Sequence, residues 1–300
     1  MDAAWFTSPR NFGGLEGPEA TLAGARVVIL PVPYDSTTCY KPGAREGARA
    51  LVDASLELEL FDHELGREIA AVGIHTLPEL EPQVGDPEAM LARVSAVTRS
   101  LLDAGKLVVL LGGEHSLSAG AARAHAERYA DLTVLYLDAH ADLRDTYQGT
   151  RFSHACTARR IAEFAPLVQV GVRSLSREEH DFLRTRPDIV TFYAEDGPLD
   201  GPAVERIVAA LGSRVYISID LDVLDPALMS AVGTPEPGGL TWDQTLRLLR
   251  TVAQRREIVG FDVVELSPPQ GPLSCVYTAA KLTYKLIGYA THPWEPPASP

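Results

Sequence analysis

Short runs of apolar and β-branched residues recur along the chain, separated by stretches with the pattern of amphipathic helices. Runs that are apolar at nearly every position are typical of strands buried on both faces of a parallel sheet. Strands that alternate with helices at this spacing predict a three-layer α/β/α fold with a mostly parallel central sheet. The predicted strands lie near residues 26–32, 69–74, 106–111, 132–138, 166–172, 188–193, 214–222 and 257–266. The predicted helices lie near residues 44–58, 87–104, 116–129, 176–186, 201–211, 242–255 and 274–289.

No linker, internal repeat or low-complexity tract divides this pattern. Because 300 residues are enough for one large α/β domain, we expect a single domain over residues 1–300. Residues 1–24 are rich in Gly, Pro and polar side chains and are predicted to form an irregular N-terminal arm. Residues 292–300 are predicted to form a proline-rich tail.

The composition argues against several classes of partner. The net charge of -13 disfavours binding to nucleic acid or to an anionic membrane. Three scattered cysteines are too few for a disulfide framework, which indicates a reducing compartment. The N-terminus lacks a signal-peptide pattern, and no apolar run approaches the roughly 20 residues of a membrane span. We therefore expect a cytoplasmic protein with no nucleic-acid or membrane partner.

The segment LTVLYLDAHAD, residues 132–142, ends an apolar run with Asp138, His140 and Asp142. Side chains alternate between the two faces of a strand, so residues two apart are predicted to point the same way. Three polar groups of the metal-ligand type beside a core are costly unless a cation compensates for them. This stretch therefore predicts a metal site.

Two further strand ends carry residues of the same type. His115 lies in GGEHS, and Asp220 and Asp222 lie in SIDLDVLDP. Ligands of parallel sheets bind at the carboxyl ends of the strands, where these residues are expected to meet the first set. Four carboxylates and two imidazoles exceed what one tetrahedral zinc ion needs, and an oxygen-rich set favours two Mn²⁺ ions. Glu114 is expected to orient its neighbour or to lie as a charge at a helix N-terminus, not to bind metal.

Two residues outside this ligand set are candidates for catalysis. His154, in FSHACTARR, is either a catalytic histidine or an ordinary, partly buried one. Glu265, in DVVELSPP, ends the last strand. It is either an exposed strand-end carboxylate or the acceptor for a planar guanidinium, which a carboxylate binds through two hydrogen bonds.

Taken together, these motifs resemble those of the ureohydrolase family, which includes arginase, agmatinase, guanidinobutyrase and formiminoglutamase. GGEHS, DAHAD, SIDLDVLDPA and DVVELSPP occur in the family's order and cover residues 112–269. The segments SPRNFGG and PYDSTTCYKPGAREGARAL are similar to agmatinase-type sequences, so the resemblance spans nearly the whole chain. It implies an arginase-like fold with a dinuclear manganese centre.

By position, the resemblance implies that Asp138 and Asp220 bridge the two ions. It implies a first ion held by His115, Asp138, Asp142 and Asp220. It implies a second ion held by Asp138, His140, Asp220 and Asp222. A hydroxide that bridges the ions would attack the guanidinium carbon of a small cationic substrate and release urea and an amine.

The resemblance also implies a catalytic role for each of three residues. Asp142 would orient the hydroxide and take its proton, and His154 would help to protonate the leaving amine. Glu265 would bind the guanidinium. Because family members are commonly trimers or hexamers, a homo-oligomer is expected as well.

Departures from the family pattern bear on the substrate. Leu143 and Arg144 follow DAHAD where arginases have an asparagine, which disfavours arginine. GGEHS and SHACTARR resemble a subgroup that hydrolyses agmatine or N1-aminopropylagmatine to putrescine or spermidine, in polyamine biosynthesis. Guanidinobutyrate, arginine and formiminoglutamate stay open as substrates, as does a non-catalytic metal-binding role. A zinc deacetylase on a related fold is disfavoured, because its chemistry needs one metal and no guanidinium-binding glutamate.

Overall fold

The computed structural model describes residues 10–294. The first nine residues of the predicted N-terminal arm and the last six of the predicted tail lie outside this range. Residues 10–24 contain two short 3-10 turns, Phe12–Gly14 and Pro18–Ala20, and no strand or α-helix. Within the described range, no helix is both long and apolar enough to cross a membrane.

Eight parallel strands form the central sheet, in the order β4-β1-β5-β10-β9-β6-β7-β8, and β2 and β3 form a separate antiparallel pair. The strands are β1 (Val27–Pro31), β2 (Phe61–Asp62), β3 (Arg67–Glu68), β4 (Ile74–Thr76), β5 (Leu107–Leu111), β6 (Leu132–Leu137), β7 (Leu167–Val172), β8 (Ile189–Tyr193), β9 (Arg214–Asp220) and β10 (Glu257–Val264). The helices are α1 (Gly47–Ser55), α2 (Pro87–Asp103), α3 (Leu117–Arg128), α4 (Thr157–Ile161), α5 (Arg177–Leu183), α6 (Gly201–Ala210), α7 (Trp242–Arg255) and α8 (Leu273–Thr291).

Two apolar cores lie on opposite faces of the sheet. Strand β1 contributes to both, because its side chains alternate between faces. Val27 and Ile29 pack in one core with α1, α6, α7 and α8, whereas Val28 and Leu30 pack in the other with α2, α3 and α4. This confirms the predicted three-layer α/β/α fold.

The structure differs from the sequence-based expectation at short elements. The strand predicted near residues 69–74 is wrong over most of its length, since Ile69–Val72 is a 3-10 turn and the strand begins at Ile74. The hairpin β2–β3 and the short helix α4 were not predicted. Each has too few residues to show a periodic pattern of apolar side chains.

Four neighbouring strands in the middle of the sheet carry the candidate site. Their order, β5-β10-β9-β6, joins segments that lie far apart along the chain. Their carboxyl ends meet at one edge of the sheet, because all four strands run in parallel. His115 follows β5, Glu265 follows β10, Asp220 ends β9, and Asp138 follows β6.

Candidate metal centre and active site

The three ligand-type residues of DAHAD converge through a loop and not along a strand. The expectation that they share one strand face is wrong, because β6 ends at Leu137 and all three follow it. Asp142 has the left-handed backbone angle φ of 51°, which turns the chain back toward the strand ends. The same correction applies to Asp222, which lies in a 3-10 turn beyond the last residue of β9, Asp220.

A first group of possible metal ligands surrounds the Nδ1 atom of His115. This nitrogen lies 3.1 Å from Asp138 Oδ2 and 3.1 Å from Asp220 Oδ2. Asp142 Oδ2 lies slightly farther away, at 3.6 Å. His115, Asp138 and Asp220 are buried and their ligand atoms lie close enough together to hold one ion.

A second group of possible ligands lies beside the first and shares Asp138 with it. His140 Nδ1 lies 2.9 Å from Asp222 Oδ2 and 3.6 Å from Asp138 Oδ1. The other oxygen of Asp222, Oδ1, accepts a hydrogen bond from the amide of Ala139. Asp220 belongs to the first group only, so its predicted role as a second bridge stays a prediction.

The chemistry of this cluster fits metal ions. Among the described residues, no lysine or arginine forms an ion pair with any of its four carboxylates. Asp138 Oδ2 is buried and has no hydrogen-bond partner in this part of the chain. Burial, the charge of Asp222 and the charge of Asp138 raise the pKa of Asp220 well above its ordinary value. A cluster of this kind holds protons that divalent cations would displace, and it presents two adjacent groups for two ions.

Side chains that were not predicted as site residues contact the His115 ring on the side away from the metal-ligand carboxylates. Its Nε2 atom lies 2.9 Å from Ser218 Oγ, which donates a hydrogen bond of 2.8 Å to Asp262. The hydroxyl of Tyr216 donates to the other oxygen of Asp262 at 2.6 Å. This support directs Nδ1 toward the carboxylates. An aspartate in the middle of the apolar β10 was the signal available in the sequence.

Asp142 and Glu265 both have backbone angles that are uncommon for residues other than glycine. Their φ values are 51° and 64°, and Gln148 is the third such residue in the described range. Left-handed conformations of this kind cost energy and concentrate at functional sites. Tyr136 donates a hydrogen bond of 2.8 Å to Asp142, and the amide of His115 donates one of 2.7 Å to Glu265. Both carboxylates are thereby held at fixed positions beside the metal-ligand groups.

A cavity of about 250 Å³ opens above the two ligand groups. Glu265 lines this cavity, together with His115, His140, Asp220 and Asp222. Burial and the neighbouring charges of Asp220 and Glu114 raise the pKa of Glu265 well above its ordinary value. A carboxylate in this environment gains stability when a cation binds beside it.

His154 lines the same cavity, on a 3-10 turn just before α4. Its ring stands edge-on to Tyr147, with ring centroids 5.9 Å apart. Burial is the main cause that lowers the pKa of His154 to about 4, so its imidazole is neutral near pH 7. A neutral imidazole can accept a proton from one reacting group and pass it to another.

Glu114 is fully buried behind the cavity and is not part of either ligand group. It accepts hydrogen bonds from Ser116 and from the backbone and hydroxyl of Thr37. Gly113 lets this segment pack closely, since a Cβ atom there would lie 1.8 Å from the carbonyl oxygen of Tyr34. Burial raises the pKa of Glu114 to about 7, although the hydrogen bonds from Ser116 and Thr37 oppose the shift.

Comparison with known proteins places this site in a family. The model of the arginase family matches residues 25–288. A protein from Thermus thermophilus named N(1)-aminopropylagmatine ureohydrolase is 44% identical over 88% of this chain and 90% of its own. A protein from Pyrococcus horikoshii named agmatinase is 37% identical over 91% of this chain and 95% of its own. The crystal structure of the agmatine ureohydrolase of Thermoplasma volcanium has a TM-score of 0.85 and 30% identity, covering 96% of each chain.

The chain therefore belongs to the arginase family, and its three-layer fold is the arginase-like fold predicted from the motifs. It is a hydrolase of the ureohydrolase type, as the sequence predicts.

Proposed function

We propose that this enzyme uses two Mn²⁺ ions to hydrolyse the guanidino group of N1-aminopropylagmatine or agmatine. The products would be urea and spermidine or putrescine. The observation that carries the proposal is one cavity that is lined by two adjacent ligand groups, by Glu265 and by His154. Relatives at 37–44% identity with these two names support the choice of substrate.

The oxygen-rich ligand set supports manganese over zinc. The first ion would be held by His115, Asp138, Asp142 and Asp220. The second ion would be held by Asp138, His140, Asp220 and Asp222. Two divalent ions held by these residues would supply a hydroxide nucleophile near neutral pH.

The chain's own residues would divide the remaining work. Glu265 binds the guanidinium and orients its carbon toward the ligand groups. Asp142 orients the attacking hydroxide and takes its proton as the carbon becomes tetrahedral. The bond between this carbon and the alkyl nitrogen would then break, and His154 would deliver to that nitrogen the proton that Asp142 took up. Urea and the free amine leave.

A second candidate substrate is 4-guanidinobutyrate, which carries a carboxylate at its far end. Arg144 and Lys41 line the cavity, and two cations there favour an anionic tail over an amine. Both side chains also lie against aromatic rings, Arg144 over Tyr147 and Lys41 over Tyr40, each at 5.2 Å. This observation makes guanidinobutyrate the comparison that a substrate assay must include.

The test is urea release by the Mn²⁺-loaded enzyme, offered agmatine, N1-aminopropylagmatine, arginine and guanidinobutyrate side by side. We expect turnover of one of the first two, and its loss in His140→Ala. The control is His180→Ala, which changes an exposed histidine on α5 and should keep full activity. Urea from guanidinobutyrate alone would favour the second candidate. No urea from any of the four, with two metals bound, would overturn the proposal.

A further inference from the structure

The Thr37 hydroxyl lies between Glu114 and His154 and contacts both. It donates a hydrogen bond of 2.5 Å to Glu114 Oε1, and it lies 3.3 Å from His154 Nδ1. It also accepts a hydrogen bond of 3.0 Å from the backbone amide of His154. The backbone amide of Thr37 donates to the second oxygen of Glu114 at 2.6 Å. One threonine thereby joins the buried carboxylate to the loop that carries the histidine.

The hydrogen atoms of this network can be assigned by counting donors and acceptors. A threonine hydroxyl has one proton to donate and two lone pairs with which to accept. The proton of Thr37 goes to Glu114, whose two oxygens also accept from the Thr37 amide and the Ser116 hydroxyl, as an ionised carboxylate does. Thr37 then presents only lone pairs to the two His154 groups, which favours a neutral imidazole that carries its proton on Nδ1. The Ser153 hydroxyl also lies 3.3 Å from Nδ1, and it can accept from the same proton. Nε2 is then unprotonated, and it is the ring nitrogen that none of these contacts uses.

We propose that Glu114, acting through Thr37, is a positioning residue that selects the Nδ1–H tautomer of His154 and presents Nε2 to the substrate. The catalytic consequence rests on the proposed function, in which His154 carries a proton to the leaving amine. Nε2 takes up the proton that Asp142 received from the hydroxide and releases it to the amine nitrogen, while the Nδ1–H bond to Thr37 stays in place. The carboxylate behind Thr37 stabilises the imidazolium that forms in between.

Ring nitrogen NMR tests the tautomer without any turnover. The protein is labelled with ¹⁵N in its histidine rings and loaded with diamagnetic Zn²⁺, because Mn²⁺ broadens nearby signals. His154→Asn identifies the His154 signals by their absence. We expect a protonated Nδ1 and an unprotonated Nε2 at about pH 8, where the Glu114 carboxyl is ionised. The opposite tautomer in the unmodified protein would overturn the proposal, whichever substrate the enzyme uses.

Glu114→Gln gives the sharpest variant for this experiment. The glutamine oxygen can replace Oε2 and accept from the Thr37 amide, while its NH₂ group donates where Oε1 accepted. Thr37 then turns its own proton toward His154, so the imidazole changes to the Nε2–H tautomer. We expect the two ring nitrogens of His154 to exchange their protonated and unprotonated ¹⁵N shifts. Unchanged shifts in a folded Glu114→Gln protein would contradict the proposed link.

Kinetics test whether the tautomer matters for catalysis. Thr37→Val should lower kcat by about 10- to 100-fold, with KM and bound metal unchanged, because only proton transfer is impaired. Thr37→Ser restores the hydroxyl and should restore most of kcat. The matched control is Thr98→Val in α2, a buried threonine whose hydroxyl has no partner among the described residues.

Each kinetic outcome supports or refutes the proposal. A Thr37→Val protein with the kcat of the unmodified enzyme would refute the positioning role. An equal loss in Thr37→Val and Thr37→Ser would also refute it, because a merely structural role predicts no rescue by the hydroxyl. If Thr37→Val does not fold, Glu114→Gln and the NMR spectrum of the unmodified protein decide the question. If no substrate yields urea, the proposed function fails but the tautomer measurement still stands.

Discussion

Two clusters of charged side chains in this protein balance the charge of their acidic groups in different ways. The carboxylate centre lies at the carboxyl ends of the central strands and consists of His115, Asp138, His140, Asp142, Asp220 and Asp222. The hairpin cluster ties the β2–β3 hairpin to α7 and α8 and consists of Asp62, Glu64, Arg250, Lys285 and Tyr289. Acidic groups are removed from water fully at the carboxylate centre and only in part at the hairpin cluster, where Asp62 is buried and the Glu64 side chain is 30% exposed. Such removal is unfavourable unless the charges are balanced.

The hairpin cluster balances its charges with its own side chains. Lys285 pairs with Asp62 at 3.0 Å and also contacts Glu64, while Arg250 pairs with Glu64 at 2.6 Å. Tyr289 donates a further hydrogen bond of 2.7 Å to Glu64. Two carboxylates thus face two permanent cations, and burial of the cluster needs no bound ion.

The carboxylate centre does not reach such a balance. Its four carboxylates face two imidazoles, so protonation of both rings alone does not balance them, and protons on the carboxylates or a bound cation must do so. The comparison teaches that burial and charge alone do not mark a binding site. What distinguishes the carboxylate centre is an excess of carboxylates over cationic side chains, which a bound cation would balance.

The largest expected effect is the loss of the carboxylate that both ligand groups share. Asp138→Asn should reduce bound metal below two ions per chain and lower urea release by at least about a thousandfold, or about 4 kcal/mol. Metal analysis and a urea assay measure the two effects. Asp131→Asn, at the other end of β6, is the control and should change neither. Full metal content together with full activity in Asp138→Asn would remove the basis of the comparison.

The second largest expected effect separates substrate binding from metal binding at the same edge of the sheet. Glu265→Gln keeps the shape of the side chain but removes the charge that would pair with a guanidinium. We expect kcat/KM to fall by about 100-fold, or about 2.7 kcal/mol, with metal content unchanged. Glu257→Gln, at the opposite end of β10, serves as the control. Loss of metal in Glu265→Gln would assign this residue to the metal centre instead.

Added Mn²⁺ should stabilise the folded protein through the carboxylate centre and leave the hairpin cluster unaffected. At a free Mn²⁺ concentration of about 100 times Kd, we expect about 2.7 kcal/mol of added stability, visible as a higher Tm. Burial, Asp222 and Asp138 raise the pKa of Asp220, so protons compete with the metal increasingly as the pH falls. The gain in Tm should therefore be larger at about pH 8 than at about pH 5. A gain in Tm that is independent of pH would argue against binding at these carboxylates.

The smallest effect concerns the hairpin cluster and its pH dependence. Burial acts to raise the pKa of Glu64, but hydrogen bonds from Lys285, Tyr289 and Arg250 lower it to about 2. A carboxyl with a lowered pKa stabilises the fold above its ordinary value of 4.5, and this stability is lost as the pH falls toward about 2. We expect Glu64→Gln to cost about 1 kcal/mol of unfolding free energy at pH 7, because solvent partly screens the exposed Glu64.

Urea denaturation of the two proteins at several pH values checks this expectation. The difference between them should shrink as the pH falls from about 4.5 toward about 2, because the carboxyl of the unfolded chain then takes up a proton while the native carboxyl stays ionised. Metal binding and urea release should be unchanged in Glu64→Gln. A Glu64→Gln protein that loses metal would show that the two clusters are not independent.

The sequence by itself determined the layers and the kinds of side chain at the site. Apolar runs that alternate with helices require a parallel sheet covered on both faces, and the motifs identify the ligand types and the family. These inferences depend on local patterns, which can be read directly from the order of residues along the chain. Glu114 illustrates the limit, since GGEHS shows a glutamate beside His115 but not which group it contacts.

Only the tertiary structure decided how these residues meet. The order β1-β5-β10-β9-β6 brings Thr37, Glu114, His154 and Glu265 to one edge, although as many as 228 positions separate them (265 − 37). Asp142 reaches the ligand group through a left-handed turn, not through the strand alternation that its spacing predicts. Contacts of this kind depend on which distant segments become neighbours, and no local pattern of side chains carries that information.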